Sequence, residues 1–343
     1  MGLLRALFGT KLNALITVLM LAGFALVLPP LFGWAFGSAV WHGPNRKACV
    51  DAGACWAFIN ARMPLFFFGN YPAEERWRVG CALLVLVVPL LGAMASRRAG
   101  LWLAILGIGV PVIDAILLYG GVFGLPVVAT ARWGGLMLNT TLCFVALGGS
   151  IPLGIVLAFG RRSPYPVVRL VSTAMIEFWR GVPLLTVLFM GLILLPMVLP
   201  DGVTVDNLVR ALVVLTLFTG AYMAETIRGG LQGIQPGQAE AAAALGMHPM
   251  QVQLLVLLPQ ALRMSIPGIV NIAVDLFKDT TLVSIVGLFD LMGVVNQSLK
   301  DTDWLGLATE GYTFAATVFF VACLLMSLGG SFLERRFGTT PHR

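Results

Sequence analysis

Charge is what this sequence has least of. Asp, Glu, Lys and Arg make up 11 % of its 343 residues, where a soluble domain carries about a quarter. That is too little to coat a water-facing surface, and ordinary soluble domains are excluded. Disorder is excluded by the opposite excess. Hydrophobic residues reach 58 %, mean hydropathy is +0.91, and chains this apolar do not stay unfolded in water. The class that remains is an all-α polytopic membrane protein. Histidine is scarce (His42, His248 and His342, far apart), and no Cys/His cluster has zinc-ligand spacing, so no metal site is expected. Cysteine is too sparse for a disulfide framework. Cys81, Cys143 and Cys323 lie in apolar runs as inert residues, and only Cys49 and Cys55 share a polar loop. No Gly-x4-Gly-Lys-Ser/Thr phosphate loop occurs, so the chain cannot cradle nucleotide by that mechanism. No Ser/His/Asp or paired-carboxylate motif stands out either, and the chain by itself reads as a non-enzyme binding no cofactor. The net charge of +6 suits neither a nucleic-acid binder nor a binder of acidic partners.

Long apolar runs are what the sequence has in quantity. A spanning helix needs about 20 apolar residues, and about eight candidates are found, at 12–36, 80–95, 100–119, 135–159, 170–199, 208–226, 266–295 and 309–332. The second is short. The fifth and seventh are long and carry charges, which points to breaks or tilts. Arg5, Lys11, Arg97, Arg98, Arg161, Arg162, Arg169, Arg228, Arg263, Arg335, Arg336 and Arg343 fall on one side if the spans alternate, which places both termini in the cytoplasm. The 37–79 loop conflicts with this. It must lie outside, yet it holds Arg46, Lys47, Arg62, Arg76 and Arg78, offset in part by Asp51, Glu74 and Glu75. The first span could be a signal peptide, but its apolar stretch is too long and reads as an anchor.

In the outer loop Cys49 and Cys55 have two readings, a disulfide facing an oxidising periplasm or two free thiols. The aromatic run 56–68, with Pro64 inside it, is either an interfacial amphipathic helix or a segment packed on the outer ends of neighbouring spans. The chain divides into an extension, 1–133, with about three spans and the periplasmic 37–79 loop, and a core, 134–337, of about five helices. The core contains a cytoplasmic loop at 229–263, and no internal repeat is visible.

That loop is the most informative stretch. The run 238–245 includes four consecutive alanines and is a strong helix former. It follows Pro236-Gly237, and Gly246 can end it in a left-handed cap. His248-Pro249 restarts a helix with Pro at its first position. Two short helices at an angle result. The small side chains of the first let another backbone approach, which suits docking to a cytosolic partner. An ordinary connecting loop is the alternative.

The literal pattern Glu240-Ala241-Ala242, three residues, Gly246, nine residues, Val256-x-Leu258-Pro259 resembles the EAA loop of ABC-importer membrane subunits, with Val256 where isoleucine is usual. Tyr222-x-x-Glu225-x-x-Arg228-Gly229-Gly230, Gln235-Pro236-Gly237-Gln238, Lys278-Asp279-Thr280-Thr281 and Phe178-Trp179-Arg180-Gly181-Val182-Pro183 are similar to the polar amino-acid permease (HisMQ) subfamily. Cys55-Trp56 and Tyr71-Pro72-x-Glu74-Glu75-Arg76-Trp77-Arg78 resemble the general L-amino-acid permease group of Aap/Bzt type. The resemblance implies the permease core of a type I ABC importer in the bacterial inner membrane. It implies a coupling helix carrying Glu240, Ala241, Ala242, Gly246 and Pro259 that enters a cleft of the ATPase subunit. It further implies a second homologous permease chain, an ATPase dimer that holds ATP-Mg, a periplasmic amino-acid-binding protein and an L-amino-acid substrate passing between the two permease chains.

Ionisable residues inside spans are costly and need a reason. Asp275, Lys278 and Asp279 share a helix face at spacings of three and four. Either the trio neutralises itself at a subunit interface, or one carboxylate meets a substrate ammonium, with Thr280, Thr281 and Ser284 adding hydroxyls. Glu225 with Arg228, and Glu177 with Arg180, have the spacing of structural or gate pairs. Asp114, alone in the third span, is expected to meet a backbone or hydroxyl partner. Competing functions are an ion-coupled secondary transporter, which predicts paired repeats, and an ABC permease for opines or another small polar solute.

Overall fold

The structure is a computed structural model that describes residues 7–50, 53–95, 109–200, 202 and 204–337. Arg5, Asp51, Arg97, Arg98, His342, Arg343 and the 100–108 part of the third expected span lie outside the described residues. Within them the regular structure is helical, with two isolated bridges, Val40 to Cys55 and Gly135 to Asp290. The helices are α1 (Lys11–Phe32), α2 (Trp56–Phe68), α3 (Arg76–Ala95), α4 (Val110–Tyr119), α5 (Gly135–Arg161), α6 (Pro166–Gly181), α7 (Leu184–Val198), α8 (Asn207–Gln232), α9 (Gly237–Ala244), α10 (Leu258–Asp279), α11 (Leu291–Ser298) and α12 (Ala308–Phe337).

Four described helices are long and apolar enough to cross a membrane: Lys11–Gly37, Gly135–Arg161, Asn207–Gln232 and Ala308–Arg336. The pair α6 and α7 makes a fifth only if its 104° bend is counted within one span. The sequence expectation of about eight is therefore met by four or five on this criterion. The expected 170–199 span is the bent pair. Val182 is extended (φ −109°, ψ 135°) because it precedes Pro183, which disfavours helical geometry in its predecessor and cannot donate to a continuing ladder. The expected 266–295 span is also interrupted. The α10 helix ends at Asp279, a tight 3₁₀ segment runs over Thr280–Val286, Gly287 turns left-handed at φ +93°, and α11 begins at Leu291.

The chain forms two compact units. The larger, Pro64–Val294 with Ala315–Arg343, holds the main core. There α8 packs along α5 and α10. Small residues permit the approach: a Cβ on Gly154 would meet Met223 Cβ at 2.8 Å and the Ala224 amide nitrogen at 3.0 Å. With lipid outside the bundle, such close backbone packing replaces the hydrophobic drive of a soluble core. Before α5, Arg78 is fully buried, with Nε 2.7 Å from Glu75 and Nη1 donating to the Pro126 carbonyl at 2.9 Å. The Tyr71 hydroxyl donates to the Leu118 carbonyl at 2.8 Å, and burial pushes its pKa up, which keeps that proton in place.

The smaller unit is Met1–Met63 with Val295–Phe314. None of the α1 side chains is buried. Cys49 and Cys55 are joined by a disulfide with Cα atoms 5.6 Å apart. The start of α2 is packed: Ala57, Phe58 and Ile59 are buried, and the Phe58 ring lies 5.7 Å from that of Trp304. Of the two readings of the aromatic run, the packed one describes this end of the helix. Arg62 pairs with Asp301, and Arg46 Nη1 donates to the Leu305 carbonyl at 2.6 Å. Three of the basic residues that made the 37–79 loop anomalous are thus engaged by partners of their own.

Candidate functional site

The polar 229–263 loop folds as a helical hairpin. After α8 ends at Gln232, α9 runs Gly237–Ala244 and stops in a Schellman motif. Gly246 N–H bonds the Ala243 carbonyl at 2.9 Å and Met247 N–H bonds the Ala242 carbonyl at 3.3 Å. Gly246 has φ +78°, and a Cβ built on it meets nothing within 4 Å. The glycine satisfies a backbone requirement while the space over it stays open. His248 caps the restart: its Nδ1 accepts from Met250 N–H at 3.4 Å, and Gln251 Oε1 accepts from His248 N–H at 2.9 Å. A π-helical turn over Val252–Leu257 leads straight into α10. The wider turn accommodates Pro259, whose ring would clash with the carbonyl four residues back in tight α winding. Gln260 Nε2 closes the hairpin on the Val256 carbonyl at 2.8 Å and on Gln238 Oε1 at 3.4 Å. Only Ala242 of α9 is buried. Glu240, Ala241, Leu245 and Gly246 are exposed, and Glu240 meets no side-chain partner among the described residues.

Glu177, Arg180, Glu225 and Arg228 meet in one cluster, in which Glu225 with Arg228 pairs as expected and Glu177 with Arg180 does not. Glu225 is the hub. It receives Arg228 Nε at 3.0 Å and Nη2 at 2.8 Å, Arg161 Nη1 at 2.7 Å, and Arg180 Nη1 approaches to 3.9 Å. Glu177 pairs with Arg161 at 2.9 Å instead of with Arg180. Arg180 lies over the Tyr222 ring, 5.6 Å from its centroid. The i,i+3 rule accounts for Glu225 with Arg228. It fails for Glu177 because Arg161, at the end of α5, comes closer than its own helix neighbour. The cluster fastens α5, α6 and α8 together.

Asp275 and Lys278 form an ion pair at 2.8 Å, and both side chains are exposed. Asp279 is half-buried and makes no salt bridge among the described residues. Thr281 and Ser284 donate to the carbonyls of Lys278 and Thr281, each at 2.8 Å. Thr280 is turned into the core, where it donates to the Phe277 carbonyl at 2.7 Å and accepts from Asn139 Nδ2 at 2.8 Å. Asn139 also donates to Asp290 at 3.0 Å and accepts from Leu291 N–H at 2.9 Å. Asp290 in turn accepts from the Met292 and Gly293 amides. Sequence reasoning missed Asn139 and Asp290. The available signal was an Asp directly before an apolar helix start, the signature of an N-cap. Asp114 departs from expectation, since its Oδ1 is buried and meets no partner among the described residues.

This arrangement combines an exposed, glycine-capped hairpin, an ion cluster binding three helices just before it, and an exposed charged face on α10. Comparison with known proteins accords with it. A family model described as binding-protein-dependent transport system inner membrane component matches residues 150–339. The inner membrane amino-acid ABC transporter permease protein YhdY of Escherichia coli K12 is 47 % identical over 98 % of this chain and 93 % of its own. The glutamate/glutamine/aspartate/asparagine transport system permease protein BztC of Rhodobacter capsulatus is 36 % identical over 96 % of this chain and 92 % of its own. A crystal structure of an amino acid ABC transporter with histidines superposes with a TM-score of 0.53 at 31 % identity, covering 59 % of this chain and 92 % of that one. The fold is that of a type I ABC permease, and the chain belongs to the family of binding-protein-dependent transport system inner membrane components.

Proposed function

We propose that this chain is the membrane-spanning permease subunit of an ATP-driven, binding-protein-dependent importer of L-amino acids, working by alternating access in the inner membrane with both termini cytoplasmic. The observation that carries the reading is α9, an exposed small-residue helix whose unpaired Glu240 and open Gly246 are held ready by a Schellman cap. A helix that buries so little of itself is built to be covered by something else. In this reading Glu240, Ala241, Ala242, Gly246 and Pro259 form the dock for an ATPase dimer, which binds ATP-Mg and hydrolyses it. A second, homologous permease chain completes a heterodimer, and a periplasmic binding protein delivers substrate to the outer loops. The core is 134–337, and the extension 1–133 adds the outer loop.

The exposed Asp275–Lys278 pair supports a path lined by both charge signs, which suits a zwitterionic solute. Thr281 and Ser284, in the turn that follows, retain lone pairs, whereas buried Thr280 positions the turn.

The test is affinity purification of the tagged chain from mild-detergent membranes, with mass spectrometry of what accompanies it and labelled amino-acid uptake by the reconstituted complex. An ATPase in the eluate and uptake that requires ATP are expected. Absence of any ATPase, or uptake that survives ATP depletion and collapses with the ion gradient, would overturn the reading.

A further inference from the structure

Helix α6 has three faces, of which two are accounted for. Ser172 and Ile176 are buried against the bundle. Arg169, Thr173, Glu177 and Arg180 form a polar arc on the helical wheel, with Glu177 and Arg180 joined to the ion cluster. The third face carries Val167, Leu170, Val171 and Phe178, exposed at 73, 70, 60 and 51 %. These residues recur at helical spacing, so they form one apolar stripe.

The position of α6 follows from its contacts. A Cβ on Gly160, at the end of α5, would meet Ser172 Cβ at 3.0 Å. Arg161 reaches Glu177, one turn further along α6, and Arg180 reaches Tyr222 and Glu225 on α8. Consecutive turns of α6 thus visit the end of α5 and then the neighbouring part of α8. These contacts tie α6 to the end of α5 and to the 222–225 part of α8, and the 104° bend turns the chain from it into α7. A stripe of large apolar side chains cannot face water without cost.

We infer that α6 is an interfacial helix, seated at the boundary between acyl chains and headgroups, with its apolar stripe in lipid and Arg162 and Arg169 against anionic headgroups. Three features favour lipid as the occupant. The next helix, α7, also exposes apolar side chains, among them Ile193 and Leu194. The start of α6 is basic, with Arg162 and Arg169 exposed. Tyr165, 71 % exposed, stands at the same end, where an amphipathic ring suits the headgroup level. Charge, aromatic ring and apolar stripe are the components of a membrane-surface helix.

The test uses the full chain with its co-purifying partners in nanodiscs, with Cys81, Cys143 and Cys323 replaced by alanine. Bimane is attached at Val171→Cys, with Val167→Cys as a second position should the first fail to insert. Leu325→Cys on α12, 63 % exposed, is the lipid-facing control, and Thr173→Cys is the polar-arc control. Quenching by brominated acyl chains is expected at 171 and 325 and not at 173. Brominated phosphatidylglycerol should quench position 171 more than brominated phosphatidylethanolamine, and Arg169→Gln should lower that preference by roughly fivefold. Quenching at 325 without quenching at 171 or 167 overturns the inference, and a cross-link from 171 to a second permease chain would name protein as the occupant. Equal quenching by the two lipids in the unsubstituted arginine background overturns the headgroup assignment.

Discussion

Gly246 separates two roles that usually coincide, because the structure requires its backbone and leaves the space above it empty. At φ +78° any L-residue other than Asn or Asp is penalised by about 1–2 kcal/mol. No atom lies within 4 Å of a Cβ at this position, so no steric cost arises within the chain itself. Three substitutions then resolve the cause. Gly246→Asn adopts the left-handed conformation readily and adds a short side chain. Gly246→Ala pays the backbone penalty and adds almost no volume. Gly246→Arg pays the same penalty and fills the space over α9 with a long cation. Since α9 has only eight residues, too short to persist without its caps, the penalty is felt locally as fraying of the hairpin. The assay is titration of the co-purifying ATPase onto the reconstituted chain, followed by ATP-driven uptake. Expected are near-normal binding for Asn, a loss of up to about tenfold for Ala, which corresponds to roughly 1.4 kcal/mol, and loss well beyond that for Arg with insertion unchanged. Wild-type binding by Gly246→Arg would refute the dock. A loss with Ala as severe as with Arg, beside normal binding by Asn, would show that the backbone, not open space, is what the partner requires.

The remaining predictions concern the clusters. Glu225→Gln leaves Arg161, Arg180 and Arg228 without their shared carboxylate. Since the groups are partly exposed, the cost is discounted from that of a buried pair to about 1–3 kcal/mol, seen as a lowered thermal midpoint in detergent; an unchanged midpoint would remove the cluster from the account of stability. Asn139→Ala withdraws three hydrogen bonds from a fully buried site and leaves Asp290 with only its backbone donors, with an expected cost of about 2–4 kcal/mol in the same measurement, where a cost below about 1 kcal/mol would contradict the network. Asp275→Asn, in an exposed ion pair, should cost under about 1 kcal/mol and leave assembly intact while uptake falls; if the complex dissociates instead, the pair belongs to the subunit interface. Cys49→Ser with Cys55→Ser opens a short loop and should cost about 2 kcal/mol by chain entropy, read by proteolysis of the outer loop under oxidising conditions.

Much of the candidate site was legible because it depends on local rules. The α9 hairpin is set by a run of alanines, a Pro-Gly entry, a left-handed glycine and a His-Pro restart, each acting within a few residues, and the structure places all of these where the sequence does. Helices α5, α8 and α12 were legible because uninterrupted apolar length is itself the signal. The bend between α6 and α7 was half legible. Charges within the 170–199 run indicated a break, but the 104° angle depends on Val182 and Pro183 together with the ion cluster that ties α6 to α5 and α8.

What escaped is governed by contacts between residues far apart in sequence. Glu177 has a cation three residues away on its own helix, and spacing alone pairs them. Arg161 wins because a glycine at position 160 lets α5 and α6 approach closely, and that proximity is a property of two helices, not of either one. The same holds for Asn139 and Asp290. Asn139 is the one amide in its apolar span and Asp290 the one charge in its own apolar run, and singly each reads as a liability in a membrane core. Together with Thr280 they satisfy one another 2.8–3.0 Å apart and, with Gly135 N–H on the Phe289 carbonyl at 2.9 Å, stitch the start of α5 to the turn between α10 and α11. An interrupted span leaves backbone groups that lipid cannot satisfy. The buried amide and carboxylate are placed where the break in 266–295 leaves such groups, so the break and the misplaced polar residues are one feature seen from two sides.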